Sequence, residues 1–238
     1  MKIMEKISAV IAAAGLGTRL KNYKGNTSTK VLIDINNQSM ISLQIQQLSN
    51  WGIKKFVVIT NPAFDELIRN DLKNSHPNKD IKYTIQDKPL GIAHALKQAK
   101  NCVEKKSKIL FILGDNFFGE NPILNINLYD NFDTVLFLKP VSNPSEFGVA
   151  NIVNEEIQII EEKPEKPKSN LAVLGLYLYS YNCFELIDRL EFSARGELEI
   201  TDLNNLYIKS KNVSFKTLND WWIDAGTEDR IEELKKLI

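Results

Sequence analysis

The sequence predicts an α/β protein with a mainly parallel central sheet and helices on both faces. Two observations carry this expectation. Apolar runs of strand length alternate with amphipathic helical patterns through the first half of the chain, and the first such run breaks at once into a glycine loop, ISAVIAAAGLGTR (residues 7–19). With 238 residues and 43% hydrophobic side chains, the chain is long enough for one substantial domain. We read it as a single domain over residues 1–238, with a ligand-binding first part to about residue 120 and a lid-forming second part over about 121–238.

In order, residues 7–13 read as a buried strand. Residues 40–51 read as an amphipathic helix ended by Gly52, 56–60 as a strand, and 62–72 as a helix opened by proline. Residues 81–86 are a strand, 91–103 a helix and 109–113 a fully apolar strand. The rhythm then changes. Residues 134–138 read as a strand, and 148–153 with 157–161 as a hairpin across Asn154-Glu155-Glu156. A strand over 173–179 is followed by helices at 182–190 and 200–211, a strand at 213–218 and a closing helix at 228–237. Sheets of this kind bind ligands beyond the carboxyl ends of their strands.

Composition excludes several partners. Thirty basic and thirty acidic side chains cancel, with no basic stripe of the kind that holds a nucleic-acid backbone. No apolar run approaches the about 20 residues needed to cross a bilayer. Glu5 stands where a secretory leader would be basic, and the apolar run leads into the glycine loop rather than a cleavage site. Cys102 and Cys183 are far apart and show no metal-type spacing, which suits reduced thiols. A cytoplasmic protein without nucleic-acid or membrane partners is expected; a homo-oligomer is left open.

The chemistry begins in the glycine loop. Gly15 and Gly17 lack a Cβ, so the backbone there can adopt positive φ and turn several N–H groups toward phosphate oxygens. Arg19 adds a planar charged fork and Lys30 a second cation. The loop is neither a dinucleotide fingerprint, since a third glycine is missing, nor a Walker A loop, since no glycine precedes Lys30. Asp115 follows the 109–113 strand directly, where a carboxylate suits Mg²⁺; an Asp-Asn turn explains it equally well. Asp224, in WWIDAGT, would complete such a site, although it also sits just before a helix that Thr227 is placed to cap. Gln86 ends a strand and could read the edge of a pyrimidine base, with Gly91 allowing close backbone approach. Glu162-Lys163-Pro164 closes the hairpin, where a lysine could meet a phosphate and a carboxylate could grip sugar hydroxyls. Arg195 could reach a phosphate or belong to a salt-bridge network at a helix entry.

Taken together, these segments resemble the sugar-1-phosphate nucleotidylyltransferases, the thymidylyltransferase branch above all. The matching stretches are AAGLGTRL (13–20) with Lys30, QDKPLGIAHAL (86–96), LGDN (113–116), EFGV (146–149), EEKPEKPKSNLAVLGLY (161–177), SARGELEITDLN (193–204) and WWIDAGT (221–227). They fall in the family's order across nearly the whole chain. The resemblance implies a Rossmann-like nucleotidyltransferase fold with a β-hairpin and helical lid over the sugar. It implies a Mg²⁺-dependent attack of a sugar-1-phosphate oxygen on the α-phosphorus of a nucleoside triphosphate, most closely dTTP with glucose-1-phosphate.

By motif position, Asp115 and Asp224 would hold the metal. Ala14, Gly15, Gly17, Thr18, Arg19 and Lys30 would bind the triphosphate, and Gln86 and Gly91 the base. Gly148, Glu162, Lys163, Val173 and Arg195 would contact the sugar phosphate, with Arg19, Lys30 and Lys163 the catalytic cations. Ala14 stands where many thymidylyltransferases have glycine, and Phe147 where close relatives have tyrosine, so UTP or another sugar-1-phosphate is the alternative within the class. The sequence runs only one predicted helix past WWIDAGT, so the resemblance implies that the C-terminal β-helix of longer relatives is missing. From another class, the chain could be a non-catalytic nucleotide-sugar sensor. Retention of Arg19, Lys30, Asp115, Lys163 and Asp224 together favours the enzyme.

Overall fold

β1 (Ile7–Ala12) is buried on both faces, as a continuous apolar run in a parallel sheet requires. The computed structural model describes residues 6–15, 17, 20, 23 and 29–238. A short ribbon of β2 (Asp34–Ile35) and β3 (Gln38–Ser39) leads into α1 (Met40–Asn50), whose N-cap Ser39 accepts a hydrogen bond from the Ser42 amide at 3.1 Å. β4 (Lys55–Thr60), α2 (Asp65–Ser75), β5 (Asp80–Ile85), α3 (Ile92–Gln98) and β6 (Lys108–Leu113) complete the alternating half. β6, β1, β4 and β5 are adjacent in that order and all parallel.

The second half joins through antiparallel pairing. β7 (Asn116–Phe118) and β8 (Thr134–Pro140) precede the hairpin of β9 (Gly148–Val153) and β10 (Glu156–Glu162). β11 (Leu171–Tyr179) then pairs antiparallel with β6, β8 and β9, with a register shift between Val173 and Tyr177. α4 (Cys183–Ile187), α5 (Ile200–Lys209), β12 (Val213–Thr217), β13 (Trp222–Asp224) and α6 (Glu228–Leu237) follow. The result is one nine-stranded sheet, parallel through the first half. Helices α1 and α2 bury Ile41, Ile45, Leu48, Ile68 and Leu72 on one face; α3, α4 and α5 bury Ala93, Leu96, Phe184, Leu203 and Tyr207 on the other.

Element types follow the sequence reading, but the helices read at 182–190 and 200–211 span only Cys183–Ile187 and Ile200–Lys209, the β2–β3 ribbon is additional, and other differences have local causes. The second helix begins at Asp65 rather than at Pro62, because Asn61 Oδ1 accepts from the amides of Ala63 and Phe64 and holds a turn first. The third helix is shorter than the 91–103 span, since residues 99–102 close in successive turns. β7 and β13 are strands where the sequence reads only turn and helix entry. The hairpin turn is the two residues Asn154 and Glu155, both with positive φ, as a tight turn matched to strand twist demands. No helix among the described residues is long and apolar enough to cross a membrane.

Candidate functional site

β7 and β13 pair antiparallel, opposing Asp224 to Asn116 and so setting Asp224 beside Asp115 at the carboxyl end of β6. The Ala225 amide donates to the Asp115 carbonyl at 2.8 Å and locks the two segments together. Asp115 is buried and ion-paired with Lys30. Burial pushes its carboxyl up, but the Lys30 charge, the Lys30 hydrogen bond and the Asn116 amide outweigh that and hold it below the usual range. Asp224 goes the other way. Burial, then the Asp115 charge, push it up to about 7, against weaker opposition from Lys30 and Arg230.

The supports of this pair come from four elements. Asn116 donates from Nδ2 to Asp115 Oδ1 (2.9 Å), while its Oδ1 accepts from Trp222 Nε1 (2.8 Å) and the Gly175 amide (3.2 Å). A Cβ on Gly175 would lie 2.7 Å from the Asn116 side chain, so only glycine leaves room for it. From α1, Gln44 Nε2 donates to the carbonyls of Leu113 (2.8 Å) and Asn116 (3.2 Å) and fixes the turn that carries Asp115. Asn116, Gln44 and Trp222 are not identified as functional from the sequence. Their only signals are a buried amide on an otherwise apolar helix face and the pairing of LGDN with WWIDAGT.

A divalent cation suits this donor set. Asp224 Oδ1 is enclosed without a hydrogen-bond partner, and of two neighbouring carboxylates one is driven toward protonation despite the nearby Lys30 and Arg230 charges, so further positive charge would be favoured there. Among the described residues no group of three or more His, Cys, Asp or Glu could hold a metal. Two carboxylates with phosphate oxygens completing the shell are the arrangement that Mg²⁺ favours.

The glycine loop is partly described. Gly17 has φ +59, and a Cβ there would lie 2.9 Å from the Lys30 amide nitrogen, so the loop folds directly onto the lysine. Gly15 does not take the positive φ expected of it; nothing lies within 4 Å of where its Cβ would stand, and Thr29 Oγ1 donates to its carbonyl at 3.0 Å. Its missing side chain leaves open space rather than permitting a turn. Ala14 is buried, its carbonyl accepting from Asn61 Nδ2 at 2.9 Å. Thr18 and Arg19 lie outside the described residues.

Gln86 follows β5 and is buried; its Nε2 donates to the Gly91 carbonyl at 3.1 Å. Gly91 has φ +103 and ψ 171, a region open only to glycine. A Cβ there would stand 2.5 Å from the Leu198 carbonyl oxygen, because the 193–199 turn packs onto it through Leu198 N–H to Leu90 O (2.8 Å) and Ala93 N–H to Leu198 O (3.1 Å). The protein's own backbone therefore requires this glycine. Gly91→Ala is expected to cost about 2–4 kcal/mol through strain and overpacking. Thermal unfolding reads that loss, and an unchanged midpoint would show that the turn yields freely.

Gly148, Glu162, Lys163, Val173, Arg195 and Asp224 line one cavity of about 720 Å³. Gly148 opposes Glu162 across the hairpin, and Glu162 Oε2 accepts from Thr201 Oγ1 at 2.6 Å. Lys163 turns out of the strand with φ 44, its amide donating to the Phe147 carbonyl at 3.0 Å. Phe147 packs edge-on against Trp222 with ring centroids 5.4 Å apart, a contact that needs no hydroxyl. Arg195 forks onto Glu199 (2.8 and 3.1 Å), with Glu162 3.6 Å away, so the salt-bridge network is formed and also faces the cavity. The structure thus joins the residues expected on the sugar side to Asp224 in one cavity, with Asp115 and its partner Lys30 next to Asp224. Gln86 stands apart, across Gly91 and the 193–199 turn.

Comparison with known proteins points the same way. The family description "Nucleotidyl transferase" matches residues 8–238. The chain is 32% identical over 237 residues to the low-salt glycan biosynthesis nucleotidyltransferase Agl11 of Haloferax volcanii, covering 98% of this chain and 66% of that protein, just under two thirds of its length. It is 33% identical over 240 residues to a glucose-1-phosphate thymidylyltransferase of Neisseria meningitidis, covering 98% and 82%. Among solved structures, a Bacillus anthracis protein named as a glucose-1-phosphate thymidylyltransferase, in complex with a sucrose, superposes with a TM-score of 0.88 at 35% identity, covering 97% of this chain and 94% of that one. A UDP-glucose pyrophosphorylase complexed with UDP-glucose shares the fold, with a TM-score of 0.82 at 22% identity over 96% of this chain and 97% of that one.

Proposed function

The chain belongs to the nucleotidyl transferase family, among the sugar-1-phosphate nucleotidylyltransferases, and on that premise we propose that it forms an NDP-sugar from dTTP and glucose-1-phosphate with release of pyrophosphate. The observation that carries this reading is the β7–β13 pairing, which sets Asp115, with its Lys30 partner, beside Asp224, and Asp224 lines one cavity together with Gly148, Glu162, Lys163, Val173 and Arg195. The whole chain acts as one domain, its first part of about 120 residues taking the nucleotide and the remainder the sugar phosphate.

Both reactants are polyanions, so the work is alignment and charge neutralisation rather than covalent catalysis. A phosphate oxygen of the sugar-1-phosphate bonds to the α-phosphorus while the bond to the β-phosphate oxygen breaks and pyrophosphate leaves. The attacking oxygen is already ionised and needs no general base. Mg²⁺, when bound by Asp115 and Asp224, supplies positive charge to the triphosphate. Lys30 and Arg19 neutralise the triphosphate, and Lys163 and Arg195 the sugar phosphate. Glu162, held by Thr201, accepts from sugar hydroxyls, with Gly148 and Val173 shaping the floor. Ala14, Gly15, Gly17 and Thr18 offer the loop backbone, and Gln86 and Gly91 face the base. Two free cysteines and the lack of a membrane-spanning helix among the described residues support a cytoplasmic setting.

A panel of dTTP, UTP, CTP, ATP and GTP crossed with glucose-, galactose- and mannose-1-phosphate, read by pyrophosphate release with Mg²⁺, tests the reading. Fastest turnover is expected for dTTP with glucose-1-phosphate. Silence across the panel would reject the activity, and faster turnover with UTP or another sugar would move the specificity within the class.

A further inference from the structure

We propose that Arg230, in the first turn of α6, is a further substrate-binding residue, whose guanidinium and the Lys163 ammonium together hold the phosphate of the sugar-1-phosphate. This deepens the proposed function and rests on it, since that reading places the sugar phosphate in the cavity beside Asp224.

The cavity wall offers little uncommitted positive charge. Among the described residues that line it, only Lys163, Arg195 and Arg230 are cationic. Arg195 is already surrounded by acids. Its fork holds Glu199 at 2.8 and 3.1 Å, with Glu162 at 3.6 Å and Glu197 at 4.0 Å. Much of its charge is therefore offset before a ligand arrives. Lys163 brings a single charge, whereas a phosphate monoester carries nearly two at neutral pH. A second free cation is needed, and Arg230 supplies it.

Nothing in the fold accounts for Arg230. It is half-buried, and no described residue forms a hydrogen bond or ion pair with it. Its position in the helix is unfavourable as well. Thr227 is the N-cap of α6, so Arg230 stands in the first turn, at the helix end that carries partial positive charge. Acids belong there; Glu228 and Asp229 follow that rule and Arg230 breaks it. The side chain instead lines the cavity with Gly226, Thr227 and Asp224, and its charge reaches Asp224, where it opposes the upward push of burial.

That is where the attacking group must lie. One phosphate oxygen has to approach the α-phosphorus at the Asp115–Asp224 pair, while the sugar extends toward Glu162 and Gly148. A guanidinium presents its N–H donors as a planar fork, so Arg230 can grip the two oxygens that do not attack and leave the third free. Held this way by Arg230 and Lys163, one polyanion can be brought against another.

The test is equilibrium binding of a sugar-1-phosphate to protein loaded with Mg²⁺ and the α,β-methylene analogue of dTTP, which cannot release pyrophosphate. The probe is whichever of glucose-, galactose- and mannose-1-phosphate the native chain binds most tightly. In Arg230→Gln its affinity is expected to fall at least about tenfold, the scale of one charge-assisted hydrogen bond, with the affinity of the analogue unchanged. The variant should unfold at the native temperature or above, because a cation leaves the first turn of a helix. Equal affinity for the sugar phosphate in variant and native chain would refute the role of Arg230 alone. A loss that falls on the dTTP analogue would overturn it by placing Arg230 on the other reactant. A lowered Tm with both ligands weakened alike would reduce Arg230 to a structural residue. A changed Mg²⁺ requirement, with sugar-phosphate affinity intact at saturating ion, would show that it acts only on Asp224. If the native chain holds none of the three sugar phosphates, the proposed function itself fails.

Discussion

Asp224→Asn is expected to lower kcat by at least about a thousandfold, the scale of losing several kcal/mol of charge stabilisation by a bound metal, while the protein unfolds at the same temperature or higher. The two effects have one cause. Asp224 is held up to about 7 by burial and by the Asp115 charge, so in the metal-free protein its ionisation is unfavourable. A group whose folded value lies above its ordinary 3.8 contributes stability below about pH 4, and that contribution is lost as pH rises through about 7. The neutral amide removes this dependence and the carboxylate repulsion with it. Chelator-treated protein should therefore show a shallower fall in Tm between pH 4 and 7 for the variant than for the native chain. Asp115→Asn should also abolish turnover, but with a loss of about 2 kcal/mol in stability, because the Lys30–Asp115 ion pair is lost from a partly enclosed site. Near-native turnover in either variant at ordinary Mg²⁺ would remove that residue from the metal site.

Asn116→Ala is expected to cost about 3 kcal/mol in stability and to reduce turnover strongly. The side chain lines the same cavity as Asp224, and it ties together β7, β11 and β13. Its loss strands the Trp222 indole N–H and the Gly175 amide in a buried setting, each costing about 1–3 kcal/mol, and takes from Asp115 the Asn116 amide that helps keep it ionised. Urea unfolding gives the stability change, and the Tm rise on adding Mn²⁺ gives the metal response. The native chain should be stabilised by the ion and the variant much less. A variant that unfolds normally and keeps the full metal response would show that the β7–β13 ribbon holds the acids without Asn116.

Much of this architecture is legible in the sequence, because its elements are local. Continuous apolar runs such as 109–113 have no alternative to a strand buried on both faces, and Asn154-Glu155 between two alternating runs marks a hairpin. The convergence of Asp115 and Asp224 is not local. It depends on pairing three-residue strands more than a hundred positions apart, too short to leave a period in the sequence, and on buried amides at Gln44 and Asn116 that look like ordinary polar residues. The resemblance of seven ordered segments bridges that gap, by naming both aspartates before any distance is known. Gly91 shows the opposite case. Its need for glycine reads as room for a ligand, whereas the Leu198 carbonyl accounts for it.

The proposed metal site is open to direct observation. Crystals grown with Mn²⁺ and dTTP, measured at a wavelength where manganese scatters anomalously, should show an ion peak about 2.1–2.2 Å from one oxygen of Asp115 and one of Asp224, with triphosphate oxygens completing its shell. A fully occupied peak elsewhere, or bound dTTP with the two carboxylates holding no ion, would contradict the account.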